Sequence, residues 1–288
     1  MPYRSVFRPD LFAGQTIVVT GGGSGIGRCT AHEIASLGGR AVLVGRKEEK
    51  LRRTAGEIEA DGGTADIRVC DIRAEEAVRD IVASILEAHG RIHGLVNNAG
   101  GQFPSPLAMI NQKGWETVVR TNLTGGFLMS REVFTQCMND GGGAIVNIVA
   151  DMWHGMPMMG HSGAARAGMV NFTMTAASEW GFAGVRVNAV APGWIASSGF
   201  DHYDPSTQEL IRSLGSHVPL RRVGNEAEVS AAICFLLSEA AAFISGATLR
   251  VDGAAPNVRM HVPLTEGPGT EPFDGFHRYM PPKVLGGE

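Results

Sequence analysis

Thr16-Ile17-Val18-Val19 runs directly into Thr20-Gly21-Gly22-Gly23-Ser24-Gly25-Ile26-Gly27, and this junction of an apolar run with a glycine-rich turn decides the fold. Gly21, Gly25 and Gly27 are spaced so that the backbone turns tightly and approaches a pyrophosphate, whose charge sits against the free N–H groups of a helix N-terminus. That helix reads as Arg28 to Leu37 and ends at Gly38-Gly39. A strand before and a helix after separate a dinucleotide turn from an ordinary glycine loop. Gly21, Ser24, Gly25, Ile26 and Gly27 are therefore the first expected cofactor contacts.

Outward from this turn, Ala41 to Val44 is a short apolar run with the character of a buried parallel strand, and it stops at Gly45-Arg46-Lys47. A site that selects NAD places a carboxylate at the end of this second strand to accept from the ribose 2′-OH. Here Gly45 and Arg46 stand there, so nothing repels a 2′-phosphate, and the fork of Arg46 with the charge of Lys47 suits one. The expected cofactor is NADP(H); solvated loop charges are the plainer reading of the same two residues.

Glu48 to Asp61 reads as a helix closed by Gly62-Gly63, and Ala65 to Cys70 as a third strand running into Asp71-Ile72. Asp71 could accept from an adenine amino group or cap the helix Ala74 to His89. Gly94 to Gly100 is a fourth short strand running into a polar turn, where Asn98 can fix the strand ends or the cofactor. Lys113 to Met138 has helical spacing with Asn122 in its middle, which disfavours a helix unless the side chain has a specific partner, ordinarily a backbone carbonyl. Ala144 to Ile148, Gly163 to Trp180, Val185 to Val190, Glu226 to Leu237 and Ala247 to Val251 continue the alternation of strand and helix. The expectation is an α/β fold with one doubly wound parallel sheet, a Rossmann fold with helices on both faces. Ile195 to Gly224 lacks strong periodicity and is longer than an ordinary connection, which makes it a candidate substrate lid. The organisation expected is an arm over 1–13, a Rossmann domain over 14–253 with its lid at about 195–224, and a Pro- and Gly-rich extension over 254–288.

Bulk composition narrows the partners. The 288 residues are 44% hydrophobic and 19% charged, in the range of folded globular chains, and the net charge is −4 with no Lys/Arg run. Nucleic acid and anionic membrane surfaces are thereby disfavoured, and the expected partner is a small molecule. Cys29, Cys70, Cys137 and Cys234 lie far apart, without metal or disulfide spacing. No metal is expected, and the chain reads as reduced, unexported and cytoplasmic.

With Thr20 to Gly27, Asn97 to Gly100, Asn122 within Thr-Asn-Leu-Thr-Gly, and Pro192-Gly193 in this order, the sequence over about Gly14 to Gly253 resembles the short-chain dehydrogenase/reductase family. The resemblance implies a nicotinamide cofactor, a homotetramer built on the long helices, and cofactor or active-site roles for Asn98, Asn122 and Ser197. The strand end Asp71-Ile72, the turn residues Ala99 and Gly100, and the run Pro192, Gly193 and Ile195 complete the implied cofactor wall.

The catalytic motif departs from the family. A Tyr four residues before a Lys is expected on one helix, with a Ser about a dozen residues upstream; here Ser162 holds the Tyr position, Arg166 the Lys position, and Val149 or Ala150 the upstream Ser. An i, i+4 pair still shares a helix face, and Arg166 can still bind the nicotinamide ribose. A serine hydroxyl is a far weaker proton donor than a phenol. The wording His161 to Gly168, with Gly100-Gly101-Gln102-Phe103 and Lys113-Gly114-Trp115, resembles the peroxisomal trans-2-enoyl-CoA reductase branch, related to the 2,4-dienoyl-CoA reductases; bacterial citronellol/citronellal dehydrogenases are similar too. Asn122, Ser162 and Arg166 are the expected catalytic group, and Asp151, His154, His161 and Tyr203 the candidate substitute acids. Met152, Trp153, Met156, Met158, Met159, Trp194 and Phe200 form either core or a pliant pocket for an acyl or terpenoid chain; on a CoA thioester, the phosphate would meet Arg212, Arg221 or Arg222, whose plainer reading is solvated charge.

Overall fold

The computed structural model describes residues 2–197, 200, 205–258, 264, 267 and 269–287. Among them, parallel strands pair in the order β3 (Thr64–Val69), β2 (Arg40–Gly45), β1 (Thr16–Thr20), β4 (Gly94–Asn97), β5 (Gly143–Ile148), β6 (Val185–Pro192) and β9 (Thr248–Val251). This is the doubly wound order, with the chain reversing direction across the sheet between β1 and β4, where open α/β sheets hold their ligands. Each crossover is helical: α1 (Gly25–Ser36), α2 (Glu48–Ala60), α3 (Glu75–His89), the long segment α4 to α6, α7 (Gly160–Trp180) and α9 (Glu226–Leu237). Val18, Val42 and Leu95 pack towards α3, α5 and α7, while Ile17, Val19 and Leu43 pack towards α1, α2 and α9. The alternation of side chains along a strand produces these two half-cores.

The long segment is interrupted where Asn122 interrupts the pattern. α4 (Gln112–Val119) passes into a π turn over Arg120–Thr124, then α5 (Gly125–Val133), a second π turn over Phe134–Met138, and the single turn α6 (Asn139–Gly141). A π bulge is a costly local geometry that often accompanies a functional site, and the first one turns Asn122 out of its own helix.

Two findings correct the sequence reading. Asp71 is not the cap of α3: Ala74 holds that position without a side-chain cap, and Asp71 instead accepts from the Arg73 backbone N–H at 3.1 Å and pairs with its guanidinium. The excursion after Pro192 is not irregular, since it contains α8 (Pro205–His217), and its base is closed by a ladder between β7 (Ile195–Ala196) and β8 (Gly224–Asn225). Tyr203, with its neighbours 201–204, lies outside the described residues.

The extension after β9 folds back over α1 and α2. Phe276 is fully buried among Tyr3, Cys29 and Ala227, Arg278 pairs with Asp61 through two contacts of 2.8 Å, and Tyr279 Oη donates to the Ala196 carbonyl at 3.3 Å. Val284 then packs on Ile211 and Leu214 of α8. Among the described residues, no helix is long and apolar enough to cross a membrane, and no His, Cys, Asp and Glu group has the makings of a metal site.

Candidate active site

The glycine turn is held from below by the next strand. Thr20 Oγ1 donates to the Val96 carbonyl and accepts from the N–H groups of Asn98 and Ala99 at 3.0 Å each, while Asn98 Nδ2 donates to the Thr20 carbonyl at 2.9 Å. Asn98 therefore fixes the strand ends, the first of its two readings, and Thr20 is a hub that the sequence reading passed over. Gly21 and Gly25 have φ of +69° and +58°, a region closed to most L side chains. A Cβ on Gly27 would lie 2.5 Å from the Gly21 carbonyl oxygen, so only glycine lets α1 begin against the turn.

Above this turn lies a cleft of about 360 Å³ whose lining includes Gly21, Ser24, Gly25, Ile26, Arg46, Lys47, Asp71, Ile72, Asn98, Ala99, Gly100 and Ser197. Gly27 lies beneath the turn, and Arg166, Pro192, Gly193 and Ile195 lie outside the lining: Gly193 N–H donates to Val251, and Ile195 belongs to the core. Lys50 and Arg73 join Arg46 and Lys47 on the wall. Asp71 is the acidic group there, and its hydrogen bonds from Arg73 hold its carboxyl down at about 2, so it is an ion-paired carboxylate at neutral pH. The cradle that a Cβ would fill and this excess of cations fit the phosphates of a dinucleotide.

The second half of the site is built on α7. Ser162 is fully buried; its Oγ donates to Gln102 Oε1 at 2.7 Å and receives Asn122 Nδ2 at 3.5 Å. Asn122 is clamped to the loop after β4, accepting from Gly101 N–H at 2.9 Å and donating to the Gly101 carbonyl at 3.0 Å. The partner that a mid-helix asparagine demands is thus another segment's backbone. Arg166 Nη1 donates to the Ile148 carbonyl at 2.6 Å, and its Nε is buried with no partner among the described residues. Burial pulls this guanidinium down to about 10, which leaves it a cation at neutral pH. A Cβ on Gly100 would stand 2.5 Å from Arg166 Nη2, so that glycine makes room for the cation. The structure therefore brings Asn122, Ser162 and Arg166 together, with Gln102 as a fourth member that had been noted only as part of a motif.

The substitute acids separate. His154 is turned outward onto the Pro256 carbonyl at 3.1 Å, and His161 Nδ1 accepts from the Ser162 N–H. Asp151 is half-buried, and burial together with the nearby charge of Asp252 raises its carboxyl. Arg222 is held by Glu228 at 2.6 Å and Arg221 by the Ser216 carbonyl, so of the three arginines considered for a CoA phosphate only Arg212 has no hydrogen bond or ion pair among the described residues. Of the apolar residues before α7, Val149 is core, whereas Met152, Trp153, Met156, Met158 and Met159 are not buried, with Trp153 and Met158 44% and 49% exposed.

Residues 21–254 match the family described as enoyl-(acyl carrier protein) reductase, and the chain belongs to the short-chain dehydrogenases/reductases, oxidoreductases that use a nicotinamide cofactor. It is 34% identical over 256 residues to the peroxisomal 2,4-dienoyl-CoA reductase [(3E)-enoyl-CoA-producing] of Danio rerio, covering 88% of this chain and 85% of that one. Among solved structures it is similar to the citronellol catabolism dehydrogenase of Pseudomonas aeruginosa PAO1, at 66% identity and a TM-score of 0.80 over 88% of this chain and 99% of that one. An actinorhodin polyketide ketoreductase with NADPH matches at 32% identity and a TM-score of 0.79, covering 85% of this chain and 98% of that one.

Proposed function

We propose that the protein is an NADP(H)-dependent reductase of the carbon–carbon double bond in a trans-2-enoyl thioester. The observation that carries this reading is the buried Ser162 at the position of the family's tyrosine, its proton already committed to Gln102. When bound, the nicotinamide supplies a hydride, which together with one proton saturates the double bond. Carbonyl reduction needs its proton at the developing alkoxide, where a positioned phenol contributes about a hundredfold to ten-thousandfold. Reduction at Cβ of a conjugated thioester leaves an enolate, which needs hydrogen-bond donors first and a proton at Cα later.

The chain's own groups are suited to that order of events. Arg46, Lys47, Lys50 and Arg73 would hold the cofactor's phosphates, and Arg166 its nicotinamide ribose. Asp151, with its raised carboxyl beyond the end of β5, would be the acid for Cα. Phe103, Leu107, Met109, Trp153, Met158 and Trp194 are all exposed. They would offer apolar surface to an acyl chain. Phe127 and Met174, exposed on α5 and α7, would supply apolar surface for a helix-mediated homotetramer.

A second reading, oxidation of a terpenoid alcohol or aldehyde, is favoured by the 66% identity to a citronellol catabolism dehydrogenase. Product analysis separates the two. With NADPH deuterated at the transferred position and crotonyl-CoA, the expected product is butyryl-CoA with one deuterium at C3; recovery of unreacted thioester alongside deuterated citronellol from citronellal would establish the second reading instead.

A further inference from the structure

Gln102 belongs to neither the glycine turn nor the Ser162–Arg166 pair, yet the hydrogen bonds around it dictate where its amide donor goes. Asn122 has its orientation fixed on both sides, because Gly101 N–H requires an acceptor and the Gly101 carbonyl requires a donor. Its Nδ2 consequently faces Ser162 Oγ as a donor at 3.5 Å, and the Ser162 hydrogen must go elsewhere, to Gln102 Oε1 at 2.7 Å. With the carbonyl end of Gln102 occupied, the amide nitrogen is the end left over, and no described residue accepts from it.

The residues flanking Gln102 are held as well. Gly101 is clamped by the two Asn122 bonds, and the Phe103 ring lies edge-on to the buried His161 at 4.5 Å between centroids and 88°. On its other side, Phe103 approaches Gly114 so closely that a Cβ there would lie 3.0 Å from the ring. Ser105 N–H then donates to the Met158 carbonyl at 2.7 Å, tying this loop to the one that precedes α7. Gln102 itself is exposed. An exposed amide between two anchored neighbours, with one end pinned and the other open, has the arrangement of a preorganised donor.

We propose that the Gln102 amide N–H is the oxyanion donor of the active site, standing in for the absent tyrosine hydroxyl by donating to the thioester oxygen as it gains charge. Ser162 and Asn122 are then positioning residues that act through Gln102. The inference rests on the reductase reading for the identity of that oxygen, but a developing alkoxide would be served by the same donor.

The test is kcat and KM for crotonyl-CoA and for citronellal in Gln102→Ala and Gln102→Glu, with NADPH affinity measured by calorimetry. Removing one oxyanion donor typically costs about a hundredfold to a thousandfold in kcat. Gln102→Ala should fall by about a hundredfold with NADPH Kd unchanged, and its thermal midpoint should slip slightly because the buried Ser162 hydroxyl loses its acceptor. Gln102→Glu keeps the acceptor for Ser162 but replaces the donor with a charge, so it should fall further at pH 8. It should then recover as the pH drops towards carboxyl protonation, a slope absent from the unmodified protein. A wild-type chain that turns over citronellal and not crotonyl-CoA would overturn the thioester reading alone, and the variants would be judged on citronellal. The Gln102 role is overturned if both variants stay within about threefold of wild type, if NADPH affinity falls in parallel with the rate, or if the wild type turns over neither substrate.

Discussion

At the glycine turn, the polar groups of the chain are placed by its own backbone: Gly21 and Gly25 adopt positive φ, and Gly27 lets α1 start against the preceding carbonyl. At the start of α7, a chain of side chains does the placing: Asn122, anchored on the Gly101 backbone, directs Ser162, and Ser162 holds Gln102. The first arrangement tolerates almost no change of residue type, because only glycine reaches those conformations and distances. The second could pass its role between residues, if the proposed Gln102 amide supplies the donor that the phenol would have been. A family can therefore retain its cofactor half and exchange its chemistry.

The contrast breaks most visibly at Gly27. Gly27→Ala puts a methyl 2.5 Å from the Gly21 oxygen and should destabilise the fold by about 1–3 kcal/mol as overpacking, with NADPH binding lost in calorimetry. No comparable loss of stability is expected at Ser162. Ser162→Ala should lower turnover while leaving NADPH affinity intact, whereas Arg166→Ala should lower both, because Arg166 is expected to meet the ribose. Normal cofactor binding by Arg166→Ala would place its action elsewhere.

A smaller effect is expected at the mouth of the cofactor cleft. Arg46 is exposed at the end of β2, and a charge-assisted hydrogen bond is worth about 1.5–3 kcal/mol, so NADP(H) should bind at least tenfold more tightly than NAD(H). Arg46→Asp should invert that order. Equal affinities in the unmodified protein would leave Arg46 as a solvated charge.

The mildest effect belongs to His32 of α1, packed against Phe276 of the C-terminal extension. Burial lowers His32 from 6.5 to about 4, so the folded chain refuses a proton that the unfolded chain accepts. The stability it contributes is complete above pH 6.5 and declines as the pH falls towards 4; Asp61, held at about 2 by Arg278, adds a further decline only below its ordinary 3.8. Thermal melts of His32→Gln should show a flatter slope between pH 6.5 and 4, and an unchanged slope would assign that acid sensitivity to other groups.

The sheet and the glycine turn were legible because both are local: strand, turn and helix follow one another within Thr16 to Leu37, and the same alternation recurs to Val251. α9 matches its expected span, Glu226 to Leu237, because the helix has a capping box at Asn225 and Glu228. The chemistry of α7 was legible only as a substitution. Gln102 meets Ser162 across 60 residues, and nothing in the local pattern of Gly101-Gln102-Phe103 announces that contact. Asp71 was left between an adenine contact and a cap because an acidic residue three positions ahead of a helix suits either role; its engagement with the Arg73 guanidinium removes the cap. α8 went unread although Ile211, Leu214 and Val218 recur at helical spacing, and what covers Ile211 and Leu214 is Val284 from the far end of the chain.

The account turns on whether a site without its phenol reduces a conjugated alkene in preference to a carbonyl. The direct measurement is kcat/KM for NADPH oxidation across crotonyl- to dodecenoyl-CoA, against citronellal and short ketones, at one pH with the unmodified protein. The account predicts that the enoyl thioesters are reduced faster than any simple aldehyde or ketone. Citronellal reduction, or oxidation of its alcohol, exceeding every thioester by more than tenfold would contradict it.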